Sequence, residues 1–466
     1  MRYIQIASRS LPQLRPTLAS LSNVSKKHIF STSQFTGGGG MKKLLVFLCV
    51  AGLIAGSASP LFAGGIDNKT NWSAEYIRTL NRNAATDSAD IVAYNPAGVM
   101  KMEDGLIGNL SVQYIDKKYN NKVGGTDLES HEPSYLPGFF LLYKKDRYAG
   151  FFSFTIPGGG GYVDYSQGNY TTQYAAALIN AGVYGNLGIN GPQHFEAESF
   201  YYGYTFGGAF EINKMFSVSL AARYIDAHRE AQGYVIMNQG IAGESTHNAD
   251  YEEDADGWGG IIGLNIAPTD ELNIGMRYET RTDLDFDQQV NQDVNSLVPG
   301  LRLLPYLGVN NGASVSRNLP AIYALGISYK FSPKIRVETN LTYYFNNSAG
   351  WDDTVPTPRD PSDVDDGYDL GLAIEYTFTN QLKGSLGYLH TDTGIDAKNM
   401  LPESPELNAD TIGAGAAYEV IPGMILNFAI GNSFYQSDSF MSSIGSEIEY
   451  EKNNFFIALG AQYKFF

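Results

Sequence analysis

Cysteine is all but missing: the 466 residues hold one, Cys49, inside an apolar leader stretch. No disulfide framework, thiolate metal site or cysteine nucleophile can be built from it. Charge is scarce as well. Charged residues make up 17% of the chain, and 32 Lys and Arg face 49 Asp and Glu, where soluble proteins carry about a quarter charged residues. The resulting net charge of −17 excludes nucleic acid as a partner, because phosphate binding needs clustered Lys and Arg. Long apolar runs are absent too. The longest, residues 44–56 (LLVFLCVAGLIAG), is too short to carry a helix across a hydrocarbon core about 30 Å thick. A helical membrane protein is excluded.

What the chain has instead is 51 Gly, 32 Tyr and 25 Phe, a composition suited to many short strands punctuated by turns. Residues 1–63 carry no Asp or Glu, and the remaining chain holds 25 basic against 49 acidic residues, a net charge of −24. Met41, Lys42 and Lys43 followed by the apolar run and SASPLFA read as a bacterial-type signal peptide over 41–63. Cleavage after Ala63 is expected, with Ala58 as the alternative. Residues 1–40 form an atypical, presequence-like extension rich in Arg and Ser that ends in four glycines, and they are set apart from the fold.

From Leu106 onward the side chains alternate with period two, the signal of a strand with two different faces. Phe216, Val218, Leu220, Ala222 and Tyr224 share one face, and Ser217, Ser219, Ala221 and Arg223 the other. Leu272, Ile274, Met276 and Tyr278 alternate in the same way with Asn273, Gly275, Arg277 and Glu279. Fourteen such strands are predicted. Turns of one to three residues alternate with long loops at 120–135, 158–196, 232–255, 288–318, 348–365, 393–407 and 438–448. Nothing forces a soluble sandwich to alternate its loops, whereas an outer-membrane barrel has short periplasmic turns and long external loops. The expected fold is all-β: a 14-stranded antiparallel transmembrane β-barrel over 106–466, with an N-terminal hatch (plug) over 64–105 inside the lumen. The terminal Phe466 falls one residue out of phase with the last strand.

Residues 89–98 (ADIVAYNPAG), followed by Met102, Asp104 and Gly105, resemble the hatch region of the long-chain fatty acid and aromatic hydrocarbon transporter family of the outer membrane (FadL/TodX type). Asn95, Pro96 and Ala97 match that family's hatch motif, and the blocks 259–287 and 319–344 are similar in layout. The resemblance implies a monomeric outer-membrane barrel without a cofactor. Its partners would be a hydrophobic small molecule, outer-membrane lipid and lipopolysaccharide. The implied function is passive uptake through a hatch pocket and a sideways opening. A structural or adhesive barrel with a permanent plug, and a porin for polar solutes, remain the alternatives.

Several residues are candidates for parts of that function. Pro157 with Gly158, Gly159, Gly160 and Gly161 interrupts the third strand, since Pro removes a ladder donor and Gly permits a kink; this is the candidate lateral opening. Tyr174, Leu178 and Ile179 lie in an apolar external stretch and are candidates for ligand capture on one helix face. Arg223 and Arg277, pointing inward, are candidate partners for a fatty-acid carboxylate, beside the plainer reading of salt bridges that brace the barrel. No metal site is expected from the acidic clusters at 250–257 and 363–369. The histidines show no catalytic spacing, so no enzyme is expected.

Overall fold

The computed structural model describes residues 73–179, 191–238, 243–352 and 364–466. The expected leader segments 1–40 and 41–63, and the first residues of the expected hatch, lie outside the described residues.

The wall consists of fourteen antiparallel strands. These are β1 (Gly105–Val123), β2 (Thr126–Lys145), β3 (Tyr148–Gly158 and Val163–Tyr165), β4 (Gln193–Glu211), β5 (Phe216–Asn238), β6 (Glu244–Ile266) and β7 (Leu272–Glu279 and Asp285–Asn295). They continue as β8 (Ser314–Ser316 and Ile322–Ser332), β9 (Ile335–Tyr344), β10 (Gly367–Thr377), β11 (Leu382–Asp392), β12 (Ala409–Ile421), β13 (Met424–Tyr435 and Asp438–Met441) and β14 (Glu447–Lys464). Each strand pairs with the next, and β1 pairs with β14 from Ile107↔Lys464 to Val123↔Ile448. The sheet is therefore closed and has no free outer edge. The last residues contribute to closure: Leu106 N donates to the Phe466 carbonyl at 3.2 Å, and Phe466 packs edge-on against Tyr143.

Alternation decides which face meets lipid. Leu220 is 68% and Ile262 58% exposed, while Asn109 and Gln113 are 1% exposed. Apolar residues outside and polar residues inside invert the pattern of a soluble protein, and hydrocarbon is the solvent that makes it stable. Phe154, Tyr204, Tyr224 and Trp258 stand directly opposite one another across β3 to β6. Neighbouring ring centroids in this row are 5.1–6.4 Å apart, forming an aromatic girdle at one membrane boundary.

The short turns lie where expected, but several of the long loops are partly strand, 438–448 among them. Residues 120–135 are strand almost throughout: β1 and β2 run on as a ribbon and turn at Gly124 and Gly125, with φ of 56° and 86°. The predicted loop 232–255 is likewise ribbon, with β5 reaching Asn238 and β6 starting at Glu244. The predicted loop 288–318 begins as strand: the chain pairs over Leu272–Glu279, resumes at Asp285 and continues to Asn295. Above the membrane the outer face of a ribbon is no longer apolar, and its inner face mixes polar residues with buried apolar ones such as Tyr119, Leu128, Val235 and Met237, so the hydrophobic alternation that marks a strand is blurred there.

Candidate functional site: a filled lumen beside a broken strand

Residues 73–100 run through the barrel interior, and nearly all are buried. Helix α1 (Ala74–Thr79) starts at Ser73, whose Oγ accepts from Tyr76 N at 3.0 Å, and stops at Leu80 in the left-handed region. From there the chain circles the wall, resting on inward-facing glycines. A Cβ on Gly413 would lie 2.0 Å from the Ile77 carbonyl, on Gly387 2.0 Å from that of Thr79, and on Gly275 2.0 Å from that of Asn83. Any side chain at these wall positions would displace the segment, which accounts for part of the glycine excess.

Charges tie the segment down. Arg78 Nη1 is 2.5 Å from Glu375 Oε2 on β10, and Arg82 pairs with Asp90 at 2.6 Å and Asp87 at 2.8 Å. Burial alone would raise the Asp87 carboxyl, but Arg82, Arg336, Lys383 and Arg78 hold it well below the usual carboxylate range. Glu75 is different. Its Oε1 accepts from Asn109 and Asn427 at 2.6 and 2.8 Å, while its buried Oε2 has no hydrogen-bond partner. Burial, with Asp90 nearby, raises this carboxyl to about 7.

Asn95, Pro96 and Ala97 close the segment against the wall. Asn95 Nδ2 donates to the Ala85 carbonyl at 3.0 Å and to Asn265 Oδ1 of β6 at 2.8 Å. Pro96 opens a short 3₁₀ turn, Pro96–Lys101, where its missing N–H costs nothing. The buried Ala97 offers its carbonyl to Ser217 Oγ at 2.8 Å. The motif therefore ties the segment to β5 and β6.

Three cavities follow one another above this segment. The innermost, about 80 Å³, lies between Tyr76 and Tyr94 of the segment and Thr155, Pro157, Arg223 and Arg277 of the wall. Leu319 and Pro320 also line it, and they equally line a second cavity of about 130 Å³ that contains Gly158, Gly159, Gly160 and Gly161. Tyr251 and Glu403 of this second cavity border a third, about 70 Å³ and largely apolar, against helix α2 (Tyr170–Ile179). Burial raises the Glu403 carboxyl above its ordinary value, although Arg229 opposes that.

The hydrogen-bonded ladder of the wall is interrupted beside the second cavity. Pairing between β2 and β3 runs only from Lys145↔Tyr148 to Phe139↔Phe154. Beyond that point, at the level of the aromatic girdle, β3 follows β4 alone and shifts register between Thr155 and Gly158. Gly159 and Gly161 have φ of 88° and 71°. The lip is held by side chains: Lys117 Nζ donates to the carbonyls of Gly160 and Tyr162 at 2.7 and 2.8 Å, and Ser130 Oγ accepts from Asp164 N at 2.9 Å. Pro157 and the four glycines thus sit where the sheet parts.

The arginines are already engaged. Arg223 Nη1 is 2.6 Å from Glu279 Oε2, and Arg277 Nε lies 2.9 Å from Glu279 Oε1 without hydrogen-bond alignment. Arg277 Nη1 also donates to the Ala93 carbonyl. Among the side chains that line the inner cavity, two guanidinium groups face one carboxylate, with a second buried carboxylate, Asp369, behind the lining Tyr344. Tyr174, Leu178 and Ile179 do occupy a helix, but not a single face of it. Ile179 packs with Ala175, Val235, Met237 and Leu303, whereas Tyr174 packs toward Tyr170 and Trp351. Residues five apart are about 140° apart around a helix, and the apolar surface wraps further than one stripe. The partners of Ile179 include Leu303, and the neighbouring short turn Leu304–Leu307 borders the same cavity. The sequence signal for that contribution is the stretch LRLLPYL over 301–307, unusually apolar for an external loop. On the outer face, Asp164, His194 and Glu196 have ligand atoms within 4.8 Å of one another, but hydrogen bonds among themselves and from Tyr162 and Gln232 satisfy them.

Residues 196–465 match the model of a family described as outer membrane protein transport protein (OMPP1/FadL/TodX). Among solved structures, a Pseudomonas aeruginosa FadL homologue is similar at 17% identity and a TM-score of 0.66, over 86% of this chain and 100% of that one. The toluene transporter TodX of P. putida aligns at 12% identity and a TM-score of 0.59, over 82% and 96% of the two chains. The toluene transporter TbuX of Ralstonia pickettii aligns at 15% identity and a TM-score of 0.59, over 88% and 100%. No curated protein sequence matches the chain.

Proposed function

Because the chain belongs to the OMPP1/FadL/TodX family, and so is an outer-membrane transporter of hydrophobic compounds rather than an enzyme, we propose that it carries its ligand passively along the three cavities and releases it sideways between β2 and β3. The ligand is caught at α2 and the Leu304–Leu307 turn, passes the glycines, and reaches the inner cavity beside the plug. The observation that carries this reading is the coincidence of the unpaired β2–β3 edge with the cavity lined by Gly158, Gly159, Gly160 and Gly161. A polar-solute porin would need an open water column, and residues 73–100 occupy that space. In this reading 41–63 is a removed signal peptide, 64–105 is the hatch, 106–466 is the barrel, and the barrel acts as a monomer.

Of the two ligand classes, the two guanidinium groups of Arg223 and Arg277, facing one carboxylate in the cavity lining, favour a long acyl chain ending in a carboxylate over a bare aromatic hydrocarbon. The test is uptake of labelled oleate and labelled toluene by a deletion strain with and without the gene. Restoration of oleate uptake supports the reading. Restoration of toluene uptake alone moves the ligand to the hydrocarbons, and restoration of neither rejects transport of both.

A further inference from the structure

Beneath the plug, at the end of the barrel that carries the short turns, a separate cavity of about 610 Å³ opens toward the periplasm. Lys101, Lys214, Lys330, Lys334, Arg336 and Lys383 line it, against Asp87, Asp270, Glu271 and Glu375. The local balance is +2 in a chain whose residues after 63 sum to −24. Four different parts of the molecule supply these cations: the plug, the β4–β5 turn, the β8–β9 region and β11.

The cations also retain unused capacity. Among the described residues, Lys214, Lys330 and Lys334 have no carboxylate partner. Lys383 Nζ lies 3.6 Å from Glu375 Oε1 and 3.9 Å from Asp87 Oδ2, ion-pair distances too long for hydrogen bonds. Arg336 is engaged instead, with Nη1 2.5 Å from Glu338 Oε2 and Nε 3.6 Å from Glu375 Oε1, so the spare donors are those of the lysines. The excess of cations over carboxylates favours an anion in the recess, and a recess of several hundred Å³ is of the size that takes small ligands.

We infer that this vestibule is a binding site for a small periplasmic anion bearing two or more carboxylate or phosphate groups. Such an anion bridges the free lysines and takes up the spare donors of Lys383. It thereby competes with Asp87 and Glu375, which also form the plug's pairs with Arg82 and Arg78. Occupancy of the vestibule is therefore coupled to the seating of the plug. The inference does not depend on the uptake route, which lies on the other side of the plug.

The test is calorimetric titration of the full chain in non-ionic detergent with pyrophosphate and, separately, tricarballylate. Salt is kept at about 20 mM, where screening is weak. Saturable binding of either anion is expected, with at least a tenfold loss of affinity in Lys330→Gln/Lys334→Gln and in Lys214→Gln/Lys330→Gln. Binding of pyrophosphate alone identifies a phosphate site, and binding of tricarballylate alone a carboxylate site. Asp87→Asn, which removes the internal competitor, is expected to raise affinity several-fold. The lysines are exposed at turns, and heat-modifiable migration on gels verifies that each variant is a folded barrel. No binding of either anion, or wild-type affinity in both folded lysine pairs, overturns the site. Unchanged affinity in Asp87→Asn overturns its coupling to the plug.

Discussion

Arg78 and Glu375, 297 positions apart in sequence, meet inside the barrel with Nη1 2.5 Å from Oε2. Arg78 Nε also donates to Asn427 Oδ1 at 3.2 Å, and Nη1 to Ser385 Oγ at 2.8 Å. One side chain of the plug thus spans β10, β11 and β13. Arg78→Ala leaves Glu375 with Arg336 and Lys383 at 3.6 Å each. Breaking a buried pair costs about 3–5 kcal/mol, and these neighbours bring the expected loss toward the lower bound. A lower melting temperature and raised ion conductance in planar bilayers are expected, whereas wild-type conductance would show that the plug is held elsewhere.

The glycine track is tested by adding single methyl groups. Gly387→Ala puts a Cβ 2.0 Å from the Thr79 carbonyl, while Gly150 has nothing within 4 Å. Gly387→Ala is expected to expose the plug to limited proteolysis, and Gly150→Ala to leave it protected. Equal protection in both variants would mean that the plug does not rest on the wall as described.

Glu75 is expected to make the seating of segment 73–100 sensitive to pH. Its folded-state carboxyl is raised from 4.5 to about 7 by burial and by Asp90, so the folded protein binds this proton more tightly than the unfolded chain. Its contribution is present in full below about 4.5 and is lost as pH rises through about 7, and its size is at most on the order of 3 kcal/mol. Resistance of the plug to proteolysis is expected to fall between pH 5 and pH 8. Glu75→Gln, which mimics the protonated form, is expected to remove that dependence.

Arg223 separates the two ligand classes. It borders the inner cavity and is bonded to Glu279 and Thr205. Arg223→Gln removes one of the two guanidinium charges while keeping a donor. Oleate uptake is expected to fall about tenfold, equivalent to about 1.4 kcal/mol, with toluene uptake unchanged. An equal fall for both would mark Arg223 as a brace of the wall.

How much of this was legible depended on whether side chains alternate in hydrophobicity. Ser217, Ser219 and Leu220 revealed their faces because one side meets lipid and the other the plug. The ribbon residues around Asn120, Asn121, Glu129 and Ser130 meet water or other polar groups on both sides, so their pairing left no pattern. Pro157 and the glycines marked the break, since chain chemistry alone weakens a strand there. Which neighbour β3 would abandon, β2 or β4, was invisible, because it depends on long-range pairing. Asn95 was found through a family motif, yet its partner Asn265 lies 170 positions away, and no local signal links them. Arg277 was expected to point inward and does, but Glu279 already engages it, a neighbour two positions on with the same facing.

The central claim is that ligand leaves through the break in β3, and Gly160→Val addresses it most directly. Gly160 has no left-handed backbone requirement, and its nearest obstacle is the Ser404 hydroxyl at 3.1 Å. Gly159, with φ of 88° and the Ser199 carbonyl 2.4 Å from an added Cβ, would instead strain the fold. The measurement is the initial rate of labelled oleate uptake by cells carrying equal amounts of folded wild-type or Gly160→Val barrel. The account predicts at least a tenfold lower rate in the variant; a wild-type rate would contradict sideways release past these glycines.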